Sequence, residues 1–144
     1  MAIINHECYI SLEIAKLLKE AGFDWECSCY YSVNTLHEPN NGFIHIYKQY
    51  KALFYDHNRT KMPVYSAPTL DVAQRWVREV KDIDIYIFPT TTTKRECIYE
   101  LGIKTFGRTL LIAGQLSTTK YDTYEKAQES GIKKALELIL EKGK

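Results

Sequence analysis

What this sequence lacks narrows it first. It has no excess of either charge. Nineteen Lys and Arg stand against 18 Asp and Glu, and a net of +1 draws the chain as a whole toward neither nucleic acid nor an anionic membrane. It has no apolar run near the roughly 20 residues of a membrane-spanning helix. Residues 1–10 show no basic start, no long apolar stretch and no small-residue cleavage site, so no signal peptide and a cytoplasmic location are expected. Low hydrophobicity with high net charge, the mark of disorder, is missing too, since 45% of residues are hydrophobic. A chain of 144 residues is long enough for one domain, 1–144, with a core of its own.

Cysteine is sparse. Cys8, Cys27, Cys29 and Cys97 carry no export signal with them, so disulfides are not expected. Cys27-Ser28-Cys29 is C-x-C, not the C-x-x-C of a zinc or thioredoxin-like site. On a strand both thiols share one face, which reads as two small core residues. A metal site would have to add His6, His37, His45 or His57, no two of which sit at ligand spacing. Phosphate-cradling loops, the nucleophile elbow, H-E-x-x-H and calcium loops are all missing. No catalytic residue, metal ligand or cofactor is nominated, and the chain reads as a non-enzyme. A small enzyme with Cys27 or Cys29 and a distant His is the remaining catalytic alternative.

What is present is a repeated helix start. Ser11-Leu12-Glu13-Ile14-Ala15-Lys16, Thr69-Leu70-Asp71-Val72-Ala73-Gln74 and Thr123-Tyr124-Glu125-Lys126-Ala127-Gln128 share one pattern. The hydroxyl caps a free N–H of the first turn, and the acid meets the positive end of the helix dipole. The spacing predicts helices over 12–21, 70–80 and 124–140. Ile14, Leu17, Leu18 and Ala21 form the first buried stripe. Trp76 and Val80 belong to the second stripe, and Tyr124, Gly131 and Ile132 to the third. Asp122 is an alternative cap for the last helix, and Gly22 then Phe23 read as a helix-terminating pair.

Between the helices the period becomes two. In 82–88 three Ile alternate with other residues, Asp82 and Asp84 among them, as in a half-buried strand. Residues 96–101 and 109–113 read as its successors, 26–33 as an earlier strand, and 43–47 and 52–55 as weaker ones. Short loops between neighbours argue for antiparallel pairing. The expected class is α+β, ordered α-ββ-α-βββ-α, with a single layer of helices on one small sheet. A shift of 58 residues superposes Ser11 to Ala15 on Thr69 to Ala73, and Cys27 and Cys29 on Ile85 and Ile87. Either a helix–strand unit is duplicated, or the same capping rules acted twice.

One segment interleaves aromatic and basic residues: His45 to Lys51, continuing to Lys61. Stacking rings beside cations suit single-stranded nucleic acid. The nominated contacts are Tyr47, Lys48, Tyr50 and Lys51, joined by Lys94 and Arg95 of a second basic stretch. The bland alternative is that the 11 Tyr line a sheet and its edges.

Three blocks, Tyr9 to Phe23, Ala67 to Glu79 with its following strand, and Tyr121 to Leu136, resemble a family of small uncharacterised phage and prophage proteins of anaerobic gut bacteria. The resemblance covers roughly half the chain and leaves out 34–65. It implies an intracellular, phage-type accessory protein and carries over no site residue. The expected role is a protein-binding or self-associating module with no membrane partner. Nucleic-acid binding is the alternative.

Overall fold

The computed structural model describes residues 9–32, 43–46, 56–59, 64–105, 111–112 and 120–143. Among them are three α-helices: α1 (Leu12–Glu20), α2 (Leu70–Lys81) and α3 (Tyr124–Lys142). Each starts at its predicted hydroxyl. Ser11 Oγ accepts from the Ile14 N–H at 3.3 Å, Thr69 Oγ1 from Val72 at 3.3 Å and Thr123 Oγ1 from Lys126 at 3.1 Å. Asp122 is therefore not the cap. It pairs with Lys126 at 2.9 Å, and the hydrogen bond from that ammonium holds its carboxyl below the ordinary range. At the far end of α1 the N–H of Gly22 bonds Lys19 O and that of Phe23 bonds Leu18 O, a Schellman stop with Gly22 at φ 97°. Asp82 ends α2 in the left-handed region at φ 57°. It therefore stands outside the next strand and shares no strand face with Asp84.

The strands are β1 (Cys29–Ser32), β2 (Phe43–Ile46), β3 (Val64–Ser66), β4 (Ile83–Thr91), β5 (Cys97–Thr105) and β6 (Leu111–Ile112). All pairs are antiparallel. The α+β class holds, and the strands divide into two sheets, β2-β1-β3 and β4-β5-β6. Among the described residues three strands, not two, lie between α1 and α2. The extra one, β3, is too short to show a period. The candidate strand 52–55 lies outside the described residues.

Beyond β3 the Ile10 N–H bonds Pro68 O at 3.2 Å, and Tyr9 bridges Thr69. On β4 the Gln74 amide donates to Ile85 O at 3.0 Å. The 58-residue likeness extends to a helix followed by a strand and then stops, because β1 is the centre of its sheet and β4 an edge.

One core serves both sheets. Trp76 is 1% exposed and meets Phe23 edge-on at 5.5 Å, tying α2 to the end of α1. Helix α3 packs on α1, α2, β4 and β5. It approaches the second sheet through Gly131, where a Cβ would lie 2.6 Å from Ile85 Cγ2 and 2.7 Å from Leu101 Cδ1. Gln128, buried, donates to Asp71 Oδ1 at 2.7 Å and Gln74 Oε1 at 2.9 Å, joining α3 to α2. Val80 and Tyr124 lie on the predicted stripes but are 49% and 42% exposed. Both sit at helix ends, and periodicity marks a side of a helix without marking how far its cover extends.

Candidate functional site

The β4–β5 hairpin carries the most exposed chemistry. Its pairing runs from Ile83↔Thr105 to Thr91↔Cys97. At the tip the Arg95 N–H bonds Thr92 O and the Thr92 N–H bonds Glu96 O, both at 2.9 Å. Thr92 Oγ1 also accepts from the Glu96 N–H at 3.1 Å. This is a turn followed by one left-handed residue, a position that favours Gly. Here it is Arg95, at φ 62°. Lys94 and Arg95 are both exposed.

The hairpin has two faces. Ile83, Ile85, Leu101 and Ile103 point to the core. On the other face Tyr86 and Phe88, 39% and 37% exposed, stack with centroids 6.2 Å apart and planes 13° apart. Gly102 lies opposite Tyr86, Glu100 opposite Phe88 and Lys104 opposite Asp84. From Ile83 to Thr105, Asp84, Glu96 and Glu100 balance Lys94, Arg95 and Lys104.

The long outer edge of β4 is interrupted at two points. Ile85 O already accepts from Gln74, so by the alternation of a strand Pro89 also turns its backbone outward. Its partner Tyr99 exchanges hydrogen bonds with Tyr121 on the opposite side, at 2.8 and 3.0 Å. The missing Pro89 N–H thus falls on the free edge, where proline blunts a sheet.

Of the residues nominated from sequence, Lys94 and Arg95 stand side by side on this tip. Tyr47, Lys48, Tyr50 and Lys51 lie outside the described residues. Tyr86 and Phe88 were missed as contacts. The signal was there, because three inward Ile put the residues between them outward.

Elsewhere the chemistry is quiet. Cys27 and Cys29 are buried and form no disulfide, and Cys27 Sγ donates to Cys29 O at 3.2 Å. Burial pushes the Cys27 thiol up from its ordinary value, away from the thiolate form. Tyr31, its phenol raised mainly by burial, donates to Ile10 O at 2.8 Å and is a structural clamp. Asn58 does similar work, accepting from the Ser66 N–H at 2.9 Å and donating to Phe23 O at 3.0 Å. Cys97 is exposed, and its charge raises the neighbouring Tyr99 phenol. Among the described residues no group of three His, Cys, Asp or Glu could hold a metal, and no helix is long and apolar enough to cross a membrane.

Two open grooves flank the Lys133–Glu13 ion pair, which closes at 2.8 Å between α3 and α1. One, of about 370 Å³, is lined in part by Tyr121 and Ser130, whose hydroxyl oxygens lie 2.7 Å apart. The other, of about 490 Å³, has Leu12 and Leu17 among carboxylates. Comparison with protein-family models, curated proteins and solved structures gives no match.

Proposed function

We propose that this chain is a non-enzymatic protein-binding module of the phage accessory kind its sequence blocks resemble, and that the β4–β5 hairpin is its contact element. The supporting observation is the stacked, exposed Tyr86–Phe88 pair on a face that no described helix covers. Aromatic side chains are the residues on which protein interfaces concentrate their energy. The balanced charge of the hairpin favours a protein over a polyanion. The test is selection of a random peptide library on the wild-type protein and on the Tyr86→Ser/Phe88→Ser variant. Peptides that bind the wild type and lose about tenfold or more on the variant support the reading. No enrichment, or binding indifferent to both rings, overturns it.

The second reading, single-stranded nucleic acid, draws on the same rings with Lys94 and Arg95 at the tip. Its test is fluorescence anisotropy with single-stranded oligonucleotides at two salt concentrations. Binding that weakens with salt and falls on Lys94→Ala or Arg95→Ala would favour it over the protein reading.

A further inference from the structure

We draw no further inference here: the strongest candidate, the side-chain cluster of Cys97, Tyr99 and Tyr124 where the β4–β5 hairpin meets the start of α3, rests on a lone cysteine beside an edge-on aromatic pair, and nothing in the structure shows what covers it.

Discussion

The stretch from α1 to β3 and the stretch from α2 to β6 open with the same capped helix and then diverge. In the first, the strand after the helix becomes the centre of its sheet, and its interior is finished with Cys27, Cys29 and the side-chain bonds of Asn58. In the second, the strand after the helix is an edge, its interior is Ile and Leu, and its outer face keeps two aromatic rings in water. A helix start is a local matter of four residues. Strand order depends on partners distant in sequence, so the same opening leads to different sheets.

The sharpest way to break this comparison is at the core both stretches share. Trp76→Ala should cost about 3–5 kcal/mol and lower the melting temperature steeply. Amide exchange should quicken in both sheets together. Loss confined to β4–β6 would mean that the two stretches have separate cores. Asn58→Ala should cost about 1–3 kcal/mol by leaving the Ser66 N–H and Phe23 O without their partner. The effect should stay local, with faster exchange at Ser66 and β3 and unchanged protection in β4 and β5.

Gly131→Ala probes the second stretch in the same way. Alanine favours a helix over glycine by about 0.5–1 kcal/mol, while overpacking costs about 1–3 kcal/mol. The methyl group would press on Ile85 and Leu101, so a urea melt should show a net loss on the order of 1–2 kcal/mol. A more stable variant would mean that α3 can lift from the sheet. Thr69→Ala should cost about 0.5–2 kcal/mol, and Thr123→Ala less, because Asp122 stands next to it. Similar small losses in chemical denaturation would bear out the local character of the helix starts. Last, site-resolved alkylation in the native state should label Cys97 quickly and Cys27 and Cys29 only on unfolding. Rapid native labelling of Cys27 would show that the first interior opens.

The helices were legible because each is announced by residues within one turn of its start. The alternation of Ile83, Ile85 and Ile87 likewise declared a strand and its inward face. The division into two sheets was not legible. It rests on which strands pair across long stretches of sequence, and pairing carries no periodic signal. β3 was hidden by its length. For the candidate site, charge picked out Lys94 and Arg95, whereas Tyr86 and Phe88 passed as ordinary members of an alternating strand. Burial decides whether an aromatic ring is core or contact, and sequence shows burial only indirectly.

The position of Pro89 bears on the solubility of the protein. A nine-residue edge strand with Tyr and Phe on its open face is the kind of segment from which cross-β fibres grow. Growth needs an unbroken row of donors and acceptors along the edge. Here one acceptor is already used by Gln74 and one donor is missing at Pro89. The chain keeps two half-exposed aromatic rings on an edge strand whose hydrogen-bonding row is broken at two places.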